Sequence, residues 1–338
     1  MRRITALAPP MRRAMTRSRR APSEPSAGGT VHPDRYAAAR ELQANRLEAI
    51  DLTEHNLSYA APSFARLESQ GATAAQCEDP VYLEWCLKLQ GWDAPHPPIY
   101  AYNRKLWEWA YIAEAVRQAN LLQPRRRALG FGVGTEPLPA IFASSGLSVL
   151  ATDQEETKGS DWAATGELAT EDLSGLSRPH LISDEDLASR VQTQRIDITE
   201  LPSGLGVFDV IWSSCVIEHL GTPQRGLDFV VESCRLLEPG GIAIHTTELE
   251  LTRRDTTADY GHCAVYRIAD LKALGKRLAD VGCSTTFNFT IPLDTPQDRW
   301  ISMLAQPCAA DIPDTAHLKL ALGDSVSTSF GLLIRRDH

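Results

Sequence analysis

Short apolar runs and helical stretches alternate through the middle of this chain. A repeated order of strand, turn, helix and strand is typical of βαβ units, whose strands lie parallel in one sheet. The pattern therefore predicts an α/β fold that is doubly wound around a mainly parallel sheet. Five of its strands are predicted at Arg127–Gly130, Ser148–Thr152, Val191–Ile196, Phe208–Ser213 and Gly241–Thr246.

The last two apolar runs, His317–Leu322 and Ser327–Arg335, have a much shorter connection. Gly323, Asp324 and Ser325 lie between them. Because a short loop with glycine is typical of a β-hairpin, we expect an antiparallel hairpin here, at the edge of the sheet.

Helical periodicity precedes the first predicted strand. Apolar residues recur near helical spacing in Asp34–Leu52, Pro80–Leu89 and Asn103–Leu122. Residues 33–122 are therefore predicted to form an N-terminal helical segment that caps the site.

The start of the chain differs in composition from the rest. Its first twenty residues include seven arginines and no acid, and residues 1–32 show no apolar period. We interpret residues 1–32 as a disordered basic tail, with an organellar transit peptide as the alternative. The predicted division is this tail, the helical segment over 33–122 and a cofactor-binding α/β domain over 123–338.

Composition argues against several classes of protein. The 338 residues carry a formal net charge of −9, and the body is more acidic than this total because the tail is basic. An acidic body disfavours binding to the phosphate backbone of nucleic acid. No apolar run approaches the roughly 20 residues that span a bilayer, and the seven cysteines lack the spacing of a zinc site or a disulfide framework. We expect a cytoplasmic protein that binds neither nucleic acid nor membrane.

A glycine-rich turn follows the first predicted strand. This turn contains Gly130, Phe131, Gly132 and Gly134, and a helical stretch follows it. Glu136 lies in the first turn of that helical stretch, where an acidic side chain is favourable. Glycine is suited to such a turn because a Cβ would block close approach of the backbone to a ligand. The turn is therefore predicted to bind a cofactor.

Two acids follow at the ends of the next two predicted strands. Asp153 follows the second strand, and Asp197, with Ile198 beside it, follows the third. A carboxylate in the first position can accept both hydroxyl hydrogens of a ribose. A carboxylate in the second can accept from the exocyclic amine of adenine, next to the Ile198 amide.

Taken in order, the glycine turn, the two acids, Phe208–Ser214 and Leu237–Gly241 resemble the class I S-adenosylmethionine-dependent methyltransferases. In that family the glycine turn faces the methionine part of the cofactor, the first acid binds the ribose and the second contacts adenine. The resemblance implies these roles for the turn, for Asp153 and for Asp197, with S-adenosylmethionine as the cofactor.

The resemblance covers about residues 100–335 and extends to a bacterial subgroup that modifies saccharides and other small metabolites. It implies methyl transfer to a small-molecule acceptor, with a hydroxyl of a saccharide or related metabolite as the leading candidate. One position departs from the family, because Ala128 stands where an acid usually precedes the first glycine by two residues. Recognition of the cofactor's amino group must then come from another residue.

Two other functions stay open. The first is an oxidoreductase or epimerase with a nicotinamide dinucleotide, although Thr135 stands where the fingerprint G-x-G-x-x-G needs its last glycine. The second is a non-catalytic, methyltransferase-like partner protein, which the alanine at 128 suggests.

Three histidines are candidates for a catalytic base. Ligands of open α/β sheets bind beyond the carboxyl ends of the strands, and His219, His245 and His262 follow or end strands there. If the acceptor is a hydroxyl, a histidine can remove its proton near neutral pH. His219 is the first choice, His245 the second and His262 the third. Each has a structural alternative, in the core or in a solvated loop.

The same region offers an alternative metal site. Glu218, His219, His245, Glu248 and His262 include the mixed ligands that a divalent cation accepts. Because no spacing among them is diagnostic, the sequence predicts no metal ion.

Several aromatic and basic residues have two interpretations. Tyr102, Arg104 and Trp107 either pack against the sheet or line a cofactor lid. Trp162, in the long connection after Asp153, either stacks on a ligand or anchors its loop.

The complete prediction is a small-molecule methyltransferase that binds S-adenosylmethionine through residues 123–338. Its fold is expected to be a doubly wound α/β fold with a mainly parallel, seven-stranded sheet. A C-terminal antiparallel hairpin and the N-terminal helical segment complete this fold.

Overall fold

The computed structural model describes most of the chain from residue 41 onwards. The predicted tail over 1–32, His262, and most of the connection after Asp153, including Trp162, lie outside the described residues. The structure describes residues 41, 43–55, 60–91, 102–154, 173–261, 263–303 and 316–337.

All five strands predicted from the central apolar runs are present. The first and fourth of them are buried on both faces over most of their length, as a parallel sheet covered by helices requires. The strands among the described residues are β1 (Ser69–Gly71), β2 (Arg127–Phe131), β3 (Ser148–Asp153), β4 (Val191–Arg195), β5 (Phe208–Ser214), β6 (Leu237–Glu250), β7 (Ala258–Asp259), β8 (Ala264–Val265), β9 (Cys283–Ser284), β10 (Phe287–Asn288), β11 (Ile301–Met303), β12 (Lys319–Leu322) and β13 (Ser325–Arg336).

The centre of the main sheet is parallel, in the order β4-β3-β2-β5-β6, and β13 pairs antiparallel with β6. Strand order reverses between β2 and β5, and ligands of open α/β sheets bind in the crevice at such a switch point. The described part of the main sheet has eleven strands rather than the predicted seven. The short strands β1, β9, β10, β11 and β12 extend it beyond β13.

The two C-terminal strands are antiparallel neighbours. Leu322 of β12 lies opposite Ser325 of β13. The predicted position at the sheet edge is wrong, because β13 also pairs with β6 along its other side. This long strand therefore lies inside the sheet.

Strand β6 is much longer than its predicted core, Gly241–Thr246. At its start the register shifts, so that Phe208 lies opposite Leu237 and Val210 opposite Ile242. At its end the strand continues through polar residues to Glu250, paired throughout with β13. The carboxyl end of β6 therefore lies four residues beyond the predicted one.

Helices cover the sheet, and side chains cap several of their first turns. Asp79 and Asn103 accept from main-chain N–H groups, as N-cap residues commonly do. Residues 43–48 are helical, within the predicted stretch Asp34–Leu52. The other α-helices among the described residues are α1 (Ala74–Cys77), α2 (Pro80–Gln90), α3 (Arg104–Gln118), α4 (Leu138–Ser144), α5 (Asp184–Arg190), α6 (Pro223–Cys234), α7 (Ile268–Ala279) and α8 (Pro296–Arg299).

The segment predicted as a helical cap contributes to both the sheet and the core. Its strand β1 pairs with β13, and α3 packs on β5, β6 and β13. Trp107 of α3 is fully buried, stacks on Tyr111 at 5.0 Å and donates from Nε1 to Gln76. Trp107 therefore packs in the core and does not line a lid. Among the described residues, no helix has both the length and the apolar character needed to cross a bilayer.

Candidate active site

The glycine turn lies between β2 and α4, at the switch point of the sheet. Gly132 and Gly134 have φ angles of +59° and +50°, in the left-handed region that favours glycine. The N–H of Val133 donates to the carbonyl of Thr152 at 3.1 Å, which holds the turn against β3. The side chain of Phe131 is fully buried, so it supports the turn from the core.

Protein side chains occupy the space next to two of the glycines. A Cβ on Gly130 would lie 2.3 Å from the ring of Trp212, and a Cβ on Gly132 would lie 2.7 Å from Val216. Close approach of a ligand is the reason that the sequence predicts for both glycines. In the fold, these two glycines also leave room for Trp212 and Val216, and the backbone conformation of Gly132 favours glycine.

Asp153 ends β3 directly beside this turn. Its Oδ2 accepts from the N–H of Gly134 at 3.1 Å, and its Oδ1 accepts from the N–H of Gln154 at 2.8 Å. The residue is only 7% exposed. Main-chain donors therefore orient a carboxylate at the place where the sequence predicts the ribose, and a carboxylate can accept several further hydrogen bonds.

Asp197 and Ile198 follow the neighbouring strand β4. The N–H of Ile196 donates to the carbonyl of Asp153 at 2.9 Å, so the chain leaves β4 beside Asp153. Asp197 is exposed, and its Oδ1 accepts from the hydroxyl and the N–H of Thr199, which lowers its pKa. The two predicted acids therefore follow adjacent strands on the same edge of the sheet.

His219 belongs to a 3₁₀ turn, Ile217–His219, that follows β5, and it is half-buried. The hydroxyl of Tyr266 donates to the carbonyl of Ile217 at 3.1 Å and so anchors this turn. Gly226 of α6 leaves space for the hydroxyl, since a Cβ there would lie 2.1 Å from it. His219 is therefore held near the carboxyl end of β5, beside the switch point.

His245 has a different environment. It is completely buried, with Nδ1 2.8 Å from the hydroxyl of Ser213 and Nε2 3.2 Å from the hydroxyl of Ser233. Burial lowers its pKa to about 3. Because both nitrogens are engaged inside the core, the structure contradicts the prediction of His245 as a catalytic base. His262, the third candidate, lies outside the described residues.

The buried state of His245 predicts an acid-sensitive contribution to stability. The folded protein keeps this imidazole neutral, whereas the unfolded chain protonates it near its ordinary pKa of 6.5. Between these two pKa values the unfolded state binds more protons, so the free energy of unfolding falls as pH falls. Between pH 6.5 and 5 we expect this residue to cost roughly 1.5 kcal/mol.

Urea unfolding of the wild type and of His245→Gln at both pH values measures this contribution. The variant should lose it, while His180→Gln, at an exposed histidine bonded to the carbonyl of Lys88, should keep the wild-type pH dependence. An unchanged pH dependence in His245→Gln would count against the neutral buried imidazole.

A buried carboxylate from α3 organises the carboxyl ends of β5 and β6. Glu108 accepts from the hydroxyls of Ser214 at 3.1 Å and Thr246 at 3.3 Å, from the hydroxyl of Ser329, and from Nζ of Lys105 at 2.9 Å. Burial alone would raise its pKa, but the cations of α3 and these donors lower it to about 2. Glu108 is therefore an ionised carboxylate that joins α3 to three strands.

The alternative metal site is only partly assembled. Ligand atoms of Cys215, Glu218 and Glu248 lie within 4.8 Å of one another. The guanidinium of Arg104 already forms an ion pair with Glu248, however, and His245 is held by serines in the core. A protein cation therefore already neutralises one of the three ligands.

Glu108 is not among the functional candidates predicted from the sequence. The available signal was its position between Trp107 and Trp109, on a helix whose remaining residues are mostly apolar. A buried ionised group needs charged or hydrogen-bonding partners, so this position predicts a polar contact across the interface. It does not identify the partners, which come from distant strands.

Comparison with known proteins agrees with this geometry. Residues 129–245 match the family model described as a methyltransferase domain. The matched segment contains the glycine turn, both acids and the turn with His219. This part of the chain is therefore similar to methyltransferase domains. No curated protein matches the chain significantly.

Solved structures show weaker likenesses. The magnesium protoporphyrin IX methyltransferase from Synechocystis, with bound SAM, has a TM-score of 0.40 and 12% identity, covering 79% of this chain and 93% of that one. The 1,6-didemethyltoxoflavin-N1-methyltransferase from Burkholderia thailandensis has a TM-score of 0.37 and 13% identity, covering 93% and 94%. The CcbJ methyltransferase from Streptomyces caelestis has a TM-score of 0.37 and 14% identity, covering 67% and 94%. Similarities this low carry no argument about the substrate.

Proposed function

We propose that this protein transfers the methyl group of S-adenosylmethionine to a hydroxyl of a small molecule, with a saccharide or related metabolite as the acceptor. The observation that carries the proposal is the placement of the glycine turn, Asp153 and Asp197. They follow the adjacent parallel strands β2, β3 and β4 at the switch point, inside the segment that matches a methyltransferase domain.

Each of these groups has chemistry that fits one part of the cofactor. The turn Gly130–Gly134 would hold the methionine part, the carboxylate of Asp153 the ribose hydroxyls, and Asp197 with the amide of Ile198 the adenine. When bound, S-adenosylmethionine supplies a methyl carbon activated by its sulfonium. The protein's own task is to orient the acceptor oxygen in line with that carbon and to exclude water.

A hydroxyl acceptor also requires removal of a proton. His219 is the proposed base, since it lies at the carboxyl end of β5 in an anchored turn. The adjacent Glu218 is buried, which raises the pKa of its carboxyl, whereas His219 acts to lower it. His262 stays a prediction as a second candidate.

Binding and product formation test the proposal together. Isothermal titration should show that S-adenosylhomocysteine binds and that it is not displaced by NAD⁺ or NADH. Incubation with S-adenosylmethionine and a panel of saccharides and polyols should release S-adenosylhomocysteine with at least one acceptor. Binding of the dinucleotide instead would favour the oxidoreductase or epimerase, and cofactor binding with no turnover on any acceptor would favour the non-catalytic partner protein.

Replacement of His219 tests the proposed base. In His219→Ala we expect the affinity for S-adenosylhomocysteine to be retained and kcat to fall by about a hundredfold or more, the usual contribution of a general base. The rate should be measured across pH with the acceptor found above. The exposed His180→Ala serves as the control and should keep wild-type turnover. Full turnover of His219→Ala at every pH would remove this residue from the mechanism.

A further inference from the structure

Residue 128, where the family usually has an acid, lies in apolar surroundings in this fold. Ala128 is completely buried in β2 and lies opposite Val149 and Val210. It belongs to the same apolar cluster as Phe142 and Trp212. A carboxylate at 128 would be surrounded by hydrocarbon, so a partner for a cationic amino group must come from elsewhere.

A second carboxyl lies nearby, at the far end of the same glycine turn. Glu136 is 6% exposed, and its Oε1 accepts from the indole N–H of Trp212 at 2.6 Å. Trp212 lies opposite Gly130 in the sheet, and the missing Cβ of Gly130 leaves room for its ring. The glycine, the indole and the glutamate therefore form one unit that fixes the carboxyl beside the turn.

This carboxyl has no cation bonded to it among the described residues. Burial raises its pKa to about 8, against the opposing effects of Trp212, Lys105 and Trp109. The charged groups that interact with it are Lys105 and Glu108 from α3, and Arg178. Lys105 is bonded to Glu108 instead. A buried acid of this kind becomes ionised when a cationic ligand arrives.

Donors for a carboxylate lie next to this acid. The indole N–H of Trp109 is buried and makes no hydrogen bond of normal geometry among the described residues. Its weaker interaction with the carboxyl of Glu136 lowers the pKa of that carboxyl. Lys105 places its Nζ 3.4 Å from the hydroxyl of Ser214 at the end of β5, with 40% of its side chain exposed. One acidic group and two donors are the complement of an amino-acid zwitterion.

We propose that Glu136 binds the α-ammonium of the cofactor's methionine part in place of the acid missing at residue 128, while Trp109 and Lys105 face its carboxylate. This inference rests on the proposed function. On binding, the carboxyl of Glu136 gives its proton to solvent and pairs as a carboxylate with the ligand's ammonium. Trp212 is a positioning residue that holds Oε1 in place.

Two nucleoside probes separate this role from general binding. S-adenosylhomocysteine carries the amino-acid group, and 5′-methylthioadenosine lacks it. Glu136→Gln preserves the shape of the side chain and the hydrogen bond from Trp212. It should lower the affinity for S-adenosylhomocysteine by about tenfold to a hundredfold, which is the usual contribution of a charge-assisted hydrogen bond. The affinity of this variant for 5′-methylthioadenosine should stay at the wild-type value, whereas Asp153→Asn should lower the affinity for both ligands.

A matched control exists on α3. Glu114 is also buried and accepts from the indole N–H of Trp85 at 2.9 Å, but it lies at the opposite end of the helix. Glu114→Gln should leave the affinity of both ligands unchanged.

Proton release supplies a readout in the unmodified protein. Titrations at pH 7 in buffers of different ionisation enthalpy should show about one proton released per S-adenosylhomocysteine bound, none with 5′-methylthioadenosine, and none with Glu136→Gln. Wild-type affinity of Glu136→Gln for S-adenosylhomocysteine, or equal losses for both ligands, would overturn the inference while leaving the proposed function in place. If the wild type binds neither nucleoside, the proposed function itself fails.

Discussion

Asp153→Ala is expected to lower the affinity for S-adenosylhomocysteine at least about a hundredfold, to the point where titration detects little binding. If Asp153 binds the ribose as proposed, two hydroxyls lose a shared charged acceptor, and each such bond contributes roughly 1.5–3 kcal/mol. The N–H groups of Gly134 and Gln154 also lose their acceptor. The glycine turn of the proposed cofactor site is then held less rigidly. Isothermal titration of the purified variant measures the effect.

The control for Asp153→Ala is a second aspartate that also accepts from a main-chain N–H but lies away from the switch point. Asp51 accepts from the N–H and hydroxyl of Thr53, and Asp51→Ala should keep wild-type affinity. Thermal unfolding without ligand should show that Asp153→Ala is folded. Unchanged affinity in a folded Asp153→Ala would defeat the assignment of the ribose site and, with it, the proposed orientation of the cofactor.

The centre of the fold could be predicted because its strands follow simple burial rules. Strand β2 is predicted at Arg127–Gly130 and ends one residue later, at Phe131. The prediction is close because a strand buried on both faces has a continuous apolar sequence. The end of β6 could not be predicted in this way. Glu248 and Glu250 lie beyond the predicted end at Thr246, yet they are buried in the strand, because serines of β13 and two arginines bond to them.

This difference explains the error at His245. A strand that ended at Thr246 would have placed His245 at the mouth of the crevice, where a base is needed. The strand continues to Glu250, so the histidine lies inside the sheet between two serines. Hydrophobic pattern locates strands well, but it cannot show where polar residues extend a strand by pairing with distant partners.

The residues proposed to bind the cofactor differ in the same way. The positions of Asp153 and Asp197 at one edge of the sheet could be predicted, because each lies at or just after the end of its own strand and parallel strands bring their carboxyl ends together. Glu136 could be assigned only a local role at a helix start, since its contact with Trp212 joins residues 76 positions apart. Its relation to the missing acid at 128 becomes visible only in the folded chain.

Glu108→Ala is expected to have the largest effect on stability, lowering the free energy of unfolding by about 3–5 kcal/mol, because it removes one partner from a buried ionic group. The substitution leaves Lys105 and the hydroxyls of Ser214, Thr246 and Ser329 without their shared acceptor. Since domains of this kind are stable by only about 5–15 kcal/mol, the loss is a large share of the total. Urea unfolding without ligand measures it.

The control for Glu108→Ala is an exposed ion pair on the neighbouring helix α2. Glu84 accepts from Lys88 at 2.8 Å, with both side chains half exposed or more, and Glu84→Ala should cost less than about 1 kcal/mol. Glu108→Gln separates charge from hydrogen bonding, because the amide still accepts from hydroxyls but cannot neutralise Arg104 and Lys105. An intermediate loss in Glu108→Gln would assign part of the stability to charge. A loss in Glu108→Ala no greater than in Glu84→Ala would mean that α3 is held on the sheet by its apolar face alone.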